Sequence, residues 1–120
     1  MIHGGGLIFG DKADGTGLIG VDQLLAAGYA VASINDRLSG EAIYTAQIND
    51  TKAVVCFLRA NAARCDLNPD EFGTWGASAG GNLVALLGTT CGVAELEGAE
   101  LCNANPIELH AGSCGLVWTD

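Results

Sequence analysis

The segment "WGASAGG", residues 75–81, constrains the fold more than any other part of this sequence. Glycines stand two positions before and two positions after Ser78. The segment "EFGTWG", residues 71–76, is predicted to be a strand on one side, and "AGGNLVALLG", residues 79–88, is predicted to be a helix on the other. Because glycine has no Cβ, this pattern predicts a tight turn at which strand and helix backbones meet closely. Such a turn would present the Ser78 hydroxyl to solvent at a helix N-terminus, where negative charge is stabilised.

The segment "HGGG", residues 3–6, is a second glycine-rich stretch with a chemical use. It follows "MIH", which predicts the end of a strand. Consecutive glycines allow backbone N–H groups to face a ligand oxygen with no side chain in the way, as an oxyanion hole requires. Two of these groups and the N–H of the residue after Ser78 would form such a hole. His3 is interpreted as a brace for the loop, and a merely flexible loop is the alternative.

Hydrophobic periodicity elsewhere alternates between strands and helices. It predicts helices over 18–27, where Gly28 fits a C-terminal cap, and over 42–65. The longer helix is predicted to bury one face, formed by Thr51, Val54, Val55, Leu58 and Ala62. Strands are predicted over 29–34 and 115–119, and loops over 11–17, 35–41 and 89–113. This alternation predicts an α/β fold, a parallel sheet with helices on both faces, in a single domain of residues 1–120.

The charge balance argues against a polyanionic partner. Lys and Arg total 5 against 14 Asp and Glu, a formal net charge of −9. Nucleic acids and anionic membrane surfaces attract basic faces, so we expect neither as a partner. No apolar run approaches the length of a membrane span. Met1 is followed at once by a loop motif where a leader peptide would stand, which leaves open a cytosolic protein or a chain without its N-terminal segment.

Five cysteines stand at positions 56, 65, 91, 102 and 114 without a C-x-x-C pair, so no metal site is predicted. Because their number is odd, at least one thiol is free or bonded to another chain. Cys56 lies in an apolar helical run and is interpreted as a small core residue. Cys91, Cys102 and Cys114 fall in a loop-rich region, where a disulfide is left open.

The run "GTGLIG", residues 15–20, matches the dinucleotide fingerprint G-x-G-x-x-G and is a competing interpretation. It opens a predicted helix, and the next strand ends near Asp36, where a ribose-binding acid belongs. The fingerprint should follow directly from a strand, however, and the polar residues 10–14 intervene. This interpretation also leaves both glycine-rich segments without a purpose, so we rank it below serine chemistry.

Together the segments resemble the α/β-hydrolase superfamily, most of all its "HGGG" esterase and lipase branch of hormone-sensitive-lipase-like and feruloyl-esterase-like carboxylesterases. The segments "IHGGG", "GYAVASIN-RL", "AQINDTKAVVCFLRANA" and "LNPDEFGTWGASAGGNL" occur in the family's order and at similar separations. The resemblance implies a serine carboxylic ester hydrolase with Ser78 as the nucleophile. It implies an oxyanion hole formed by the N–H groups of Gly5, Gly6 and Ala79, a small-molecule ester as substrate, and no metal or organic cofactor.

Two departures from the family pattern matter. An "N-Y-R-L" run is frequent in the family, and this chain has Asp36 in place of the tyrosine. The acid would alter the floor of the acyl pocket or stand exposed, and it is also interpreted as a salt-bridge partner of Arg37. The second departure is the absence of the family's strands upstream of "HGGG".

The catalytic triad of this fold runs in the order serine, acid, histidine. His110 is the sole histidine after Ser78, and Asp120 comes after it. Four acids lie between Ser78 and His110, all in a predicted loop: Glu95, Glu97, Glu100 and Glu108. The sequence therefore predicts a nucleophile and an oxyanion loop without the usual acid and base.

Two interpretations follow from this incomplete triad. The favoured one is an incomplete α/β-hydrolase domain that is inactive alone and self-associates through exposed sheet edges. The alternative is a complete small protein that uses the hydrolase scaffold as a non-catalytic binding or assembly module.

Overall fold

The computed structural model describes residues 1–14 and 20–98. Within these ranges the chain forms three α-helices, which are α1 at Val21–Ala26, α2 at Ala46–Ala60 and α3 at Ala79–Thr89. Short 3₁₀ turns at Ala62–Arg64 and Ala94–Leu96 follow the two longer helices. Helix α2 is shorter than the periodic segment 42–65 because the chain leaves the α-helical conformation at Asn61, where φ is −106° and ψ is 13°.

Helix α1 ends at the glycine that the sequence predicts as its cap. Gly28 has φ +87°, which only glycine adopts readily. Its N–H donates to Leu25 O at 3.0 Å, and the N–H of Tyr29 donates to Leu24 O at 3.0 Å. These two bonds are those of a Schellman motif, which satisfies carbonyls at the helix end.

Ile2 lies between two extended segments and bridges both of them in parallel. Its partners are Ile34 on one side and Gly76 on the other. The N–H of Ile2 donates to Trp75 O at 2.8 Å, and the N–H of Ile34 donates to Met1 O at 3.2 Å. Among the described residues these pairings stay isolated bridges.

The predicted strands over 29–34 and 71–76 are therefore wrong as regular strands. Each contributes only bridge residues, so a parallel sheet with helices on both faces is not confirmed in the part of the chain that the structure describes. The predicted strand over 115–119, and the predicted loop beyond residue 98, lie outside the described residues.

The core is small and lies where α2 packs against α3. Its buried members are Ile2, Ile48, Leu83 and Val84. The buried residues of α2 itself are Gln47, Ile48, Thr51 and Lys52. The predicted face is confirmed at Thr51 and at Ala62, which is buried just beyond the helix, whereas Val54, Val55 and Leu58 are only half-buried. Apolar periodicity missed most of this face because three of its four buried residues are polar. Thr51 Oγ1, for example, donates to the carbonyl of Gln47 at 2.8 Å.

Lys52 ties α2 to the segment after α3. Its Nζ donates to Thr90 O at 2.6 Å and to Glu97 Oε1 at 2.8 Å. Glu97 Oε1 also accepts the N–H of Gly92 at 2.9 Å. A lysine can be buried when its ammonium is paired and hydrogen-bonded in this way. Glu97, one of the acids that follow Ser78, therefore has a structural role: it links Lys52 of α2 to the segment after α3.

The interpretation of Cys56 as a core residue with a free thiol is wrong. Cys56, on α2, and Cys91, just after α3, are both disulfide-bonded. Cys65 is a free and exposed thiol. Cys102 and Cys114 lie outside the described residues.

Two glycines allow α3 to approach the backbone of Ile2 and His3. An ideal Cβ on Gly80 would overlap Ile2 O and would lie 2.6 Å from His3 O. An ideal Cβ on Gly76 would lie 2.6 Å from the carbonyl carbon of Gly80. The expectation that close backbone approach requires these two glycines is confirmed.

We expect Gly80→Ala to lower the free energy of unfolding by about 1–3 kcal/mol, because the new methyl group must displace backbone atoms in a packed region. Gly40→Ala is the matched control, since nothing lies within 4 Å of a Cβ at that position. Urea unfolding followed by circular dichroism measures both. Equal effects of the two substitutions would contradict the close-approach account.

Candidate active site

Ser78 occupies a strained turn between a bridge residue and a helix. Its φ is +54° and its ψ is −117°, and α3 begins at the next residue, Ala79. A non-glycine residue with this φ costs about 1–3 kcal/mol and persists where the surrounding structure enforces it, often at functional sites. The residue is exposed. Its backbone therefore takes the outlying conformation that the glycine spacing predicts, with the side chain open to solvent.

The "HGGG" loop lies against this turn. An ideal Cβ on Gly4 would lie 3.2 Å from Ala77 O and 3.6 Å from Ser78 Cβ. Gly5 and Gly6 have φ of +111° and +63°. A Cβ on Gly5 would overlap Phe9 O, so this position excludes every other residue type. The two glycine-rich segments lie far apart in the sequence, and the bridge of Ile2 to Gly76 brings them together.

The three predicted oxyanion donors are unpaired among the described residues. The N–H groups of Gly5, Gly6 and Ala79 donate to no described carbonyl or side chain. Ala79 is the first residue of α3, and the first N–H groups of a helix have no partner within it. Free N–H groups at a helix start and in a glycine loop can stabilise an oxyanion when they face it.

His3 is buried and braces the loop, as the sequence predicts. Its Nδ1 lies 2.7 Å from Gly4 O, and its Nε2 lies 3.5 Å from Asp36 Oδ1. A carbonyl oxygen only accepts, so Nδ1 carries a proton and donates it to Gly4. Both ring nitrogens therefore face groups other than the Ser78 hydroxyl.

The predicted salt bridge between Asp36 and Arg37 is wrong. Arg37 binds Asp50 instead, with Nε at 2.8 Å from Oδ2 and Nη2 at 2.7 Å from Oδ1. Asp36 is 6% exposed, so it does not stand in solvent as its position in a loop suggested. It turns inward to His3, away from any role as a ribose-binding acid. Residues 15–19 of the competing fingerprint lie outside the described residues.

Burial raises the pKa of Asp36, and the nearby charge of His3 opposes the increase. The charges of Asp50 and Glu41 raise it further. Sequence reasoning missed the pairing of Asp36 with His3. The signal available was an acid where the resembling family often carries tyrosine, two positions after the apolar segment 29–34.

The remaining predicted groups contribute little to the described site. Glu95 is exposed, and Glu97 is held by Lys52. His110, Asp120, Glu100 and Glu108 lie outside the described residues. Within residues 1–14 and 20–98, no cluster of three or more His, Cys, Asp or Glu side chains could hold a metal ion. No helix in the same ranges is long and apolar enough to cross a membrane.

Comparison with known proteins finds one matching family and similar solved structures. The BD-FAE family matches residues 1–110. A bifunctional GH43-CE protein from Bacteroides eggerthii is similar at 42% identity and a TM-score of 0.76, over 82% of this chain and 14% of its own. A truncated carbohydrate esterase from gut microbiota is similar at 41% identity and a TM-score of 0.75, over 82% of this chain and 38% of its own. No curated protein matches significantly. These similarities support an α/β-hydrolase-type fold, and the chain spans less than half of either structure.

The raised pKa of Asp36 predicts how stability depends on pH. The folded protein holds the Asp36 proton more tightly than the unfolded chain, whose aspartate pKa is about 3.8. This contribution to stability is complete below that pKa and is lost as the pH rises through the folded-state pKa. Relative to Asp36→Asn, the wild type should therefore lose free energy of unfolding as the pH rises from about 3.8.

Urea unfolding of both proteins at a series of pH values measures this difference directly, because all other titrating groups are shared. A wild type that gains stability over Asp36→Asn as the pH rises would contradict the account. It would mean that attraction to His3 outweighs the burial of the carboxylate.

Proposed function

This chain belongs to the BD-FAE family of α/β-hydrolase-like esterases, and we propose that it carries the nucleophile and oxyanion loop of a serine carboxylic ester hydrolase. The observation that carries the proposal is the exposed Ser78, held at φ +54° directly before α3 with the "HGGG" loop against it. A serine presented on such a turn can reach an ester carbonyl without rearrangement of the backbone.

The chemistry assigns a role to each part of this arrangement. Ser78 Oγ attacks the ester carbonyl, its proton passes to a general base, and the carbonyl oxygen becomes an oxyanion. The free N–H groups of Gly5, Gly6 and Ala79 are the proposed donors to that oxyanion. The N-terminus of α3 adds a favourable partial positive charge. Donors of this kind act mainly on the transition state, so they raise kcat.

The base that activates Ser78 is not His3. Its Nδ1 is hydrogen-bonded to Gly4 O, and its Nε2 faces Asp36 Oδ1 at 3.5 Å without a hydrogen bond, so both ring nitrogens point at groups other than Ser78. His3 is the only histidine among residues 1–14 and 20–98. We therefore propose that residues outside these ranges supply the acid and the base, and that His110 is not the base. The chain alone should then be nearly inactive.

The proposed substrate class is an ester borne on a carbohydrate. Its support is the similarity to the two structures above, whose descriptions name a GH43-CE protein and a carbohydrate esterase. The finer resemblance to feruloyl-esterase-like or hormone-sensitive-lipase-like enzymes stays a prediction, as does a single domain of residues 1–120.

A graft tests the proposal, because it supplies the missing groups. In the esterase chimera, residues 1–98 of this chain replace the matched stretch of the gut carbohydrate esterase. We expect the chain alone to hydrolyse p-nitrophenyl acetate near the background rate and the chimera to be active. Ser78→Ala should lower kcat of the chimera by about 10⁴- to 10⁶-fold, since the nucleophile and its base act as a unit.

Ser39→Ala is the matched control in the chimera, because Ser39 is also exposed and its backbone N–H contacts the same loop, at Leu7 O. It should leave kcat unchanged. A folded chimera that keeps its activity after Ser78→Ala would overturn the nucleophile assignment. Robust turnover by the chain alone, abolished by both Ser78→Ala and His110→Ala, would instead identify His110 as the base.

A further inference from the structure

We propose that Asp36 is a positioning residue for the oxyanion loop: it holds His3, and His3 fixes the orientation of the Gly4–Gly5 peptide. This inference rests on the proposed function, because it assigns the Gly5 N–H to the oxyanion. It concerns a residue at which this chain departs from the tyrosine of the resembling family.

The first step is the contact between Asp36 and His3. The two residues are 6% and 5% exposed, and Nε2 lies 3.5 Å from Oδ1. Neither carboxylate oxygen accepts a hydrogen bond from another described residue. The neighbouring cation, Arg37, is committed to Asp50. A buried carboxylate without a partner is costly, so its attraction to the imidazole is the interaction that offsets this cost.

The second step is the protonation pattern of the imidazole. Nδ1 donates to Gly4 O, so a proton stays on Nδ1 in any state of the pair. Nε2 faces Asp36 Oδ1 at 3.5 Å, and neither atom has a hydrogen-bond partner among the described residues, so the contact is electrostatic. This attraction keeps the ring turned so that Nδ1–H points at Gly4 O.

The third step is the geometry of the peptide that follows Gly4. The described chain has no cis peptide bond, so the Gly4 carbonyl and the Gly5 N–H point in opposite directions. When His3 holds the carbonyl, the Gly5 N–H is fixed on the other side. Gly10 leaves room for the ring, because a Cβ there would overlap His3 Nδ1 and lie 2.6 Å from Gly4 O.

The cost of burying Asp36 argues for function. Burial raises the pKa of Asp36, which means that its ionised form weakens the folded state near neutral pH. A side chain that served only stability would be replaced to advantage by an apolar group of similar size. Groups with such perturbed environments gather at functional sites.

Nuclear magnetic resonance of the full chain tests the first two steps. In a His110→Ala background His3 is the only histidine, so its ring nitrogens are assigned without ambiguity. We expect the wild type to hold the proton on Nδ1. Asp36→Asn should keep this pattern, because its amide can donate to Nε2. Asp36→Ala should release the ring, mix the two tautomers and shift the Gly5 amide resonance. Arg37→Ala is the matched control and should change neither signal.

A folded Asp36→Ala protein with an unchanged tautomer and an unchanged Gly5 resonance would overturn the inference. Where Asp36→Ala fails to fold, Asp36→Leu takes its place, because leucine fills the buried site without offering Nε2 a partner. The same two outcomes then decide the question.

The esterase chimera tests the third step. Asp36→Ala should lower kcat by about 10- to 100-fold with little change in KM, because misdirecting one oxyanion donor removes part of its effect on the transition state. Asp36→Asn should recover most of this loss. Wild-type kcat in a Ser78-dependent chimera carrying Asp36→Ala would refute the positioning role. Activity that survives Ser78→Ala would refute the proposed function instead, and the tautomer measurement would still decide whether Asp36 holds His3.

Discussion

Helix α3 approaches the backbone of Ile2 and His3 so closely that no Cβ fits between them, and the candidate site depends on this contact. Gly80 lies against the carbonyls of both residues, and Gly76 lies against Gly80. The close approach bends the chain at Ser78 into a conformation that few non-glycine residues adopt. It also brings the "HGGG" loop beside that serine, since the loop continues directly from His3. One steric requirement thus sets both the strain at Ser78 and the position of the oxyanion loop.

A second constraint acts on the loop from its other side. His3 is buried between the Gly4 carbonyl and the Asp36 carboxylate, and both contacts limit how its ring can turn. The Ser78 turn is strained and the Asp36 carboxylate is poorly solvated, so both features cost stability. They stand on either side of the same short loop. Their coincidence is what a preorganised site requires, because hydrogen-bond donors that are already oriented need no rearrangement during the reaction.

The sequence predicted the steric features of the site better than its pairings. Glycines two positions before and after Ser78 indicate that a Cβ at either position would clash with nearby backbone. The close approach of the backbones and the unusual conformation of Ser78 were therefore predictable from the sequence. The cap at Gly28 was predictable for the same reason. The length of a strand depends on the segments that pair with it. Periodicity over 29–34 therefore could not show that only Ile34 of this segment forms a bridge, with Ile2. The buried face of α2 escaped because Gln47 and Lys52 are polar and still buried. Asp36 escaped because only the fold reveals that Asp50 takes Arg37.

The identity of the nucleophile is the claim on which the rest depends, and covalent trapping tests it most directly. The esterase chimera is treated with diethyl p-nitrophenyl phosphate, and the modified peptide is located by mass spectrometry. The account predicts one phosphorylated residue, Ser78, and no adduct after Ser78→Ala. An adduct on another side chain, such as Ser39 or the exposed thiol of Cys65, with Ser78 unmodified in an active chimera, would contradict it.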